Sequence, residues 1–189
     1  VEPKLVLWGL PMASNGYNDG ESRSRYNMRN CGAMVIIRMP DNSLFIHDGG
    51  DVYQWNDEAC DAFVAFCREL TNTSEGEKMV INTWFLSHLH SDHFGGLPRF
   101  IDKYHDQIDI KNVMYSIDDE MIGSSRDISD IMAMVGAWYP EARYYKPHTG
   151  ETVNIAGVEV DILYTLEDRF VPNSSKNLII DTDNLGGTY

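Results

Sequence analysis

The spacing of apolar residues along the chain predicts strands and helices in alternation. Residues 79–86 form a continuous apolar run with two polar interruptions, which is typical of a strand buried on both faces. Two shorter apolar runs, 33–39 and 44–47, flank the turn sequence at 40–43 and predict a β-hairpin that ends at Asp48. Further strands are predicted at 4–10, 111–116, 153–155 and 158–164, and further helices at 97–104 and 125–138.

A helix is predicted after the hairpin, with Asn56 or Asp57 as its N-cap. Its apolar stripe consists of Cys60, Phe63, Cys67 and Leu70. The two cysteines of this stripe are interpreted as core thiols, and with Cys31 they make an odd count at no zinc-finger spacing, so we expect no disulfide framework. Strands and helices in this order predict an α/β domain in which sheet and helices form layers.

The composition is that of one globular domain of 189 residues, with 43% hydrophobic and 23% charged residues. Fifteen basic residues against 29 acidic ones give a net charge of −14. A broad surface for nucleic acid or anionic lipid needs an excess of Lys and Arg, so both partners are disfavoured. No apolar run approaches the roughly 18 residues of a membrane span. The chain begins with Val1, which leaves a removed leader open, and no compartment is predicted.

The candidate chemistry lies in residues 87–97, directly after the long predicted strand. This segment contains three of the six histidines, His88, His90 and His93, together with Asp92. In an extended chain, side chains two residues apart lie on the same side, so His88 and His90 can hold one cation together. A turn after them would bring Asp92 and His93 to a second position about 3.5–4 Å away, the spacing of two-metal sites. Imidazole and carboxylate ligands favour zinc, with manganese or iron as alternatives.

These residues complete the pattern His-x-His-x-Asp-His, and the segment resembles the signature of the metallo-β-lactamase superfamily. The hairpin end Asp48-Gly49-Gly50 is similar to the Asp-x-Gly stretch of that superfamily. Residues 30–33 and 93–98 are similar to the subgroup related to the hydrolase domain of bacterial DNA-uptake channel proteins. The resemblance covers residues 4–165.

The resemblance implies an αββα sandwich and a metal-dependent hydrolase. A metal-activated water would cleave an ester, an amide or a phosphodiester in a small molecule or short polymer, with nucleic acid the less favoured substrate. By resemblance, His88 and His90 bind the first zinc ion and Asp92 and His93 bind the second. Asp92 would also take or orient the proton of the nucleophile. Asp48 would fix the orientation of a metal-binding imidazole through a hydrogen bond to the ring nitrogen that does not bind the metal.

The chain departs from the superfamily pattern downstream of His93. The superfamily adds a third histidine, a carboxylate shared by both metals and a last histidine. The candidates for these positions are His105, His148, Glu167, Asp168, Asp181 and Asp183. His105 is interpreted as a solvated helix end, and His148 precedes the hairpin that the superfamily ligand follows.

The missing ligands predict that residues 1–189 are a single metallo-hydrolase domain that is incomplete at its C-terminal side. Only the N-terminal half to two-thirds of the sandwich would then be present. One sheet face would be left uncovered, so we expect a later segment or a second copy of the chain to cover it. The alternative function is a non-catalytic metal-binding or assembly module of the same fold.

Overall fold

The computed structural model describes residues 1–7, 34–51, 54–116 and 128–165. These residues form eight strands and four helices in a mixed α/β arrangement. The strands are β1 Lys4–Leu7, β2 Met34–Arg38, β3 Leu44–Asp48, β4 Met79–Leu86, β5 Ile108–Tyr115, β6 Arg143–Tyr145, β7 Thr152–Ile155 and β8 Val158–Asp161. The helices are α1 Asp57–Thr71, α2 Ser91–Phe94, α3 Gly96–Tyr104 and α4 Ile128–Trp138.

The main sheet has six strands in the order in which they occur along the chain, from β1 to β6. The pairs β1–β2 and β2–β3 are antiparallel, and β3, β4, β5 and β6 are parallel to one another. The carboxyl ends of β3, β4 and β5 therefore meet at one edge of the sheet. In open α/β sheets that edge is where functional side chains collect.

Three helices cover one face of this sheet. Helix α1 begins at the N-cap Asn56, whose side chain accepts a hydrogen bond from the backbone N–H of Ala59 at 2.8 Å. Phe63 of α1 and Phe100 of α3 pack against Trp55, with ring centroids 5.3 and 4.8 Å from its ring. The apolar stripe of α1 and buried residues of α3 and α4 join strand residues in one core cluster. The predicted stripe and N-cap are both confirmed.

The other face of the main sheet packs against the two-stranded sheet β7–β8. Phe85, Met114 and Ile162 form the centre of this second apolar cluster, with Phe45, Val153 and Val160 packed against it. The β3–β4 pairing has a register shift between Leu44 and Phe45, and this shift changes which β4 side chains face each side of the sheet. Trp84 and Leu86 therefore face the helices, whereas Phe85 faces the small sheet. The described residues thus form three layers: helices, main sheet, small sheet.

A groove of about 320 Å³ lies between the two sheets. Its walls include Phe45, His47 and Phe85 of the main sheet and Leu163 and Tyr164 beyond β8. Leu163 is 87% exposed and Tyr164 is 52% exposed. Part of the second face of the main sheet is therefore open among the residues described.

Several predicted boundaries differ from the structure. Strand β5 begins at Ile108 rather than at residue 111, because Ile108 and Ile110 pair with Met79 and Ile81 in the parallel ladder. Strand β8 ends at Asp161 rather than at residue 164. Strand β6 was not predicted, since its three residues, Arg-Tyr-Tyr, carry no apolar alternation. The predicted strand residues 8–10 and helix residues 125–127 lie outside the described residues.

Cys60 and Cys67 are both free and buried in α1, which confirms them as core thiols. Burial raises the pKa of each thiol, so neither is a thiolate at neutral pH. Cys31 lies outside the described residues. Among the helices of the described ranges, none has the length and apolar content needed to cross a membrane.

Candidate metal centre

Strand β3 ends at Asp48, whose backbone φ of 57° lies in the left-handed region. Aspartate tolerates this region better than most residues. The indole N–H of Trp84 donates to the Asp48 carbonyl oxygen at 3.0 Å and holds the turn in place. The Asp48 carboxylate is buried at 2% exposure, at the edge where β3 and β4 end.

The Asp48 carboxylate accepts hydrogen bonds from two neighbours on the β4 side. Its Oδ1 accepts the backbone N–H of Ser87 at 2.8 Å, and its Oδ2 accepts the Ser87 hydroxyl at 2.8 Å. Nδ1 of His93 lies 2.7 Å from the same Oδ2. Burial alone would raise the pKa of Asp48, but the hydrogen bonds from His93 and Ser87 and the nearby His47 hold the pKa below its ordinary value. Asp48 is therefore ionised at neutral pH.

His88 follows Ser87 at the end of β4 and is 8% exposed. Its Nδ1 lies 3.0 Å from the Ser87 hydroxyl oxygen. Its ring centroid lies 3.9 Å from that of His93 and 4.6 Å from that of His90. Burial and the two neighbouring imidazoles lower the pKa of His88 to about 4. His88 is therefore neutral at neutral pH.

The other two motif residues lie on the short helix α2, which begins after His90. The backbone N–H of His93 donates to the carbonyl oxygen of His90 at 2.9 Å, so the chain turns directly behind the strand end. This turn brings Asp92 Oδ2 to 3.7 Å from Nε2 of His93. Burial alone would lower the pKa of His93, but the hydrogen bond to Asp48 and the charges of Asp48 and Asp92 together outweigh burial and raise the pKa.

Gly49 and Gly96 allow the Asp48 turn to pack closely against the start of α3. A Cβ on Gly96 would lie 2.5 Å from the Gly49 carbonyl oxygen and 2.9 Å from the indole nitrogen of Trp55. The backbone N–H of Gly95 donates to the Gly50 carbonyl oxygen at 2.9 Å. This backbone contact fixes the distance between Asp48 and the histidines of the motif.

The structure brings His88, His90, Asp92 and His93 together at the end of β4. Nδ1 of His88 and Nδ1 of His93 are both engaged by the Ser87 and Asp48 side chains, which leaves the Nε2 atoms as the donors for a metal. Two such imidazoles with a nearby carboxylate have the donor chemistry that zinc favours. Yet no group of three or more His, Cys, Asp or Glu side chains in the described ranges has the arrangement of a metal-binding set. The ligand roles stay a prediction.

The other histidine candidates lie elsewhere in the described structure. The ring of His105 stacks on Trp138 with centroids 3.6 Å apart, and its Nδ1 lies 3.1 Å from the Ile101 carbonyl oxygen. His148 is exposed in the connection before β7, where its backbone N–H donates to Glu151 at 2.9 Å. Glu167, Asp168, Asp181 and Asp183 lie outside the described residues.

Sequence reasoning gave no role to Ser87, His47 or Ser116, which also lie at this edge of the sheet. Nε2 of His47 and the hydroxyl of Ser116 are buried and have no hydrogen-bond partner among the described residues. The His47 ring stacks on Phe85 with centroids 5.0 Å apart. Each of the three residues is at or next to the carboxyl end of a parallel strand, and this position is the signal that could have identified them.

Comparison with models of known protein families finds no match for this chain, and a search of curated proteins finds none. The likeness to the metallo-β-lactamase superfamily therefore rests on the motif residues themselves.

Proposed function

We propose that this chain is a metal-dependent hydrolase of the metallo-β-lactamase type. The observation that carries the proposal is the complete His-x-His-x-Asp-His set at the carboxyl end of β4, in which the buried Asp48 carboxylate contacts Nδ1 of His93 directly and reaches His88 through the Ser87 hydroxyl. Carboxylate support of this kind is what metal-binding histidines receive in known metal sites.

Each residue of the motif has a proposed task. His88 and His90 bind the first ion, and Asp92 and His93 bind the second. Asp92 also accepts or orients the proton of the attacking water. When bound, zinc, manganese or iron supplies a water whose pKa is lowered to about 7. Asp48 keeps the His93 ring in place through Nδ1.

The proposed substrate is a small molecule or short polymer with an ester, amide or phosphodiester bond. A net charge of −14 repels long polyanions, which makes extended nucleic acid the less favoured substrate. The exposed fractions of the motif side chains support access from solvent, since the His93 side chain is 23% and the Asp92 side chain 30% exposed.

The proposed fold is the αββα sandwich. Its support is the layer order of the described residues, with helices on one face of the main sheet and β7–β8 on the other. In this proposal, β7 and β8 belong to the second sheet. The remainder of the second half comes from a later segment or from another copy of the chain.

Metal content and turnover test the proposed function. We expect the purified chain to take up about two equivalents of zinc or manganese, measured by atomic emission after removal of loosely bound metal. We expect it to hydrolyse bis(p-nitrophenyl) phosphate or p-nitrophenyl acetate.

The double variant His88→Ala, Asp92→Ala should lose this turnover with a nearly unchanged circular-dichroism melt. Asp102→Ala, an exposed carboxylate change on α3, is the matched control and should retain turnover.

The second candidate is a non-catalytic binding or assembly module of the same fold. It is favoured by one observation, the lack of a three-residue metal-binding arrangement in the described part of the chain. A chain that takes up no metal supports this module and contradicts the hydrolase. Turnover that persists in the double variant contradicts the assignment of the site.

A further inference from the structure

We infer that Ser87 is a positioning residue that extends the influence of Asp48 to His88. The Asp48 carboxylate, which contacts Nδ1 of His93 directly, acts through the Ser87 hydroxyl to place the His88 proton on Nδ1, which leaves Nε2 of His88 without a proton. The inference deepens the proposed function and rests on it for the binding of metal. The tautomer itself is a property of the metal-free chain and can be measured separately.

The geometry is a chain of short contacts among buried groups. The Ser87 hydroxyl oxygen lies 2.8 Å from Asp48 Oδ2 and 3.0 Å from His88 Nδ1. The three side chains belong to residues that are 5%, 2% and 8% exposed, in the order Ser87, Asp48 and His88. Water therefore competes little for these hydrogen bonds, and each polar atom depends on its neighbour for a partner.

The number of protons decides the direction of each hydrogen bond. An ionised carboxylate can only accept, so the single hydroxyl proton of Ser87 is donated to Asp48. The hydroxyl oxygen then has only lone pairs to offer, so Nδ1 of His88 must be the donor in the second bond. A neutral imidazole carries one N–H proton, and with that proton on Nδ1 the Nε2 atom has a free lone pair.

The surroundings of the two groups favour the protonation states that this reasoning needs. Both oxygens of Asp48 face donors, since Oδ1 accepts the Ser87 N–H and Oδ2 faces the Ser87 hydroxyl and Nδ1 of His93, and such a set of donors favours the carboxylate. The buried His88 ring lies 4.6 and 3.9 Å from the rings of His90 and His93, and burial beside other imidazoles favours its neutral form. His93 keeps a proton on Nδ1 without an intermediary, because its Nδ1 lies 2.7 Å from Asp48 Oδ2.

A merely structural Ser87 would act through its backbone instead. The Ser87 N–H donates to Asp48 Oδ1 at 2.8 Å and would do so with any side chain at this position except proline. The two roles therefore separate in Ser87→Ala, which keeps the backbone hydrogen bond and removes the hydroxyl. Ser87→Thr keeps both and is the conservative rescue.

Two-bond ¹H–¹⁵N correlation spectra of the histidine rings test the inference in the metal-free chain at pH 7. We expect the His88 proton on Nδ1 in the wild type and in Ser87→Thr, and a mixture of tautomers in Ser87→Ala. His93 is the internal control and should keep its proton on Nδ1 in all three, because its contact with Asp48 is direct. Since the wild-type spectrum alone reports the tautomer, the test stands even if a variant fails to fold.

Zinc affinity, measured by competition with a chelator, connects the tautomer with the proposed site. Loss of a supporting hydrogen bond behind a ligand typically weakens metal binding by about 10–100-fold, and we expect this for Ser87→Ala and near wild-type affinity for Ser87→Thr. Wild-type His88 with its proton on Nε2, or identical His88 tautomers in wild type and Ser87→Ala, would overturn the inference even if zinc binds. The expected tautomers in a chain that binds no zinc would support the positioning role and contradict the proposed function.

Discussion

His88 and His93 lie with ring centroids 3.9 Å apart, yet their surroundings move their pKa values in opposite directions. His88 lies against a neutral hydroxyl, so burial dominates and lowers its pKa. His93 lies against the ionised Asp48, so the charge dominates and raises its pKa. The position of one buried carboxylate thus gives two adjacent imidazoles different pKa values, lowered in His88 and raised in His93.

The lowered pKa of His88 predicts that acid destabilises the metal-free chain. Between pH 6.5 and about 4 the unfolded chain binds a proton at His88 that the folded chain does not, so stability is lost as pH falls through this window. The raised pKa of His93 affects stability above pH 6.5, and the lowered pKa of Asp48 affects it below pH 3.8, so neither group contributes to the loss within this window. The full pKa shift of His88 would lower the free energy of unfolding by roughly 2 kcal/mol between pH 7 and pH 5, and we expect a decrease of about 1 kcal/mol after solvent screening.

Urea unfolding of wild type and His88→Asn at pH 7 and pH 5 measures this effect. Asparagine places an N–H close to the position of Nδ1, so it can still donate to Ser87 but cannot titrate. Between pH 7 and pH 5, the free energy of unfolding of the wild type should fall by about 1 kcal/mol more than that of the variant. Equal losses in the two proteins would show that His88 is not the group that titrates.

Among the secondary structure elements, the junction between the β3 turn and α3 positions the site. The turn contributes Asp48 and the segment before α3 contributes His93, and the two meet because Gly49 and Gly96 let their backbones approach. Trp55 adds to this junction, since its indole N–H donates to the Gly49 carbonyl oxygen. The site is therefore sensitive to any side chain that separates the turn from the helix.

A matched pair of glycine substitutions tests this junction. Gly96→Ala places a methyl group 2.5 Å from a backbone oxygen, and we expect it to lower the free energy of unfolding by about 1–3 kcal/mol and to weaken zinc binding. Gly136→Ala in α4 meets only the Tyr144 hydroxyl at 3.4 Å, an ordinary contact. Because alanine favours helix over glycine, this control should gain about 0.5–1 kcal/mol. Equal effects of the two changes in thermal melts and zinc titrations would contradict the role of the junction.

For the molecule as a whole, the two faces of the main sheet differ in how well they are covered. The helical face is packed with residues such as Trp55, Phe63 and Phe100. The other face carries a small cluster around Phe85 and a groove beside Leu163. Exposed apolar surface next to a sheet is costly in water, so a cover for this groove is expected. The two candidate covers are a later segment and a second copy of the chain.

Substitution of an exposed leucine tests whether the groove is covered. If it is, Leu163→Thr should lower the free energy of unfolding by about 2 kcal/mol, whereas Leu5→Thr on β1, 63% exposed, should change it by less than about 1 kcal/mol. Unfolding at two protein concentrations identifies the cover. A concentration-independent cost supports the chain's own residues, whereas a cost that grows with concentration points to a second copy. Equal small effects of both changes would mean that the groove is open.

The sequence by itself determined the local elements and the ligand types. The helical spacing of Cys60 to Leu70 predicted α1, the continuous apolar run predicted β4, and the turn at 40–43 predicted the β2–β3 hairpin. The motif at 88–93 indicated metal chemistry because four donor side chains occur within six residues. All of these are local patterns, which follow from the repeat of a helix or a strand.

The tertiary structure alone decided which distant residues meet. Asp48 and His93 are 45 residues apart, and their contact depends on the parallel pairing of β3 with β4 and on the left-handed turn at Asp48. Strand β6 exists because β5 offers it a partner, although its own sequence shows no strand pattern. The proton on His88 likewise depends on Asp48, which only folding brings within reach of Ser87. Hydrogen bonds between separate strands leave no periodic trace in the sequence, so they could be found only in the folded chain.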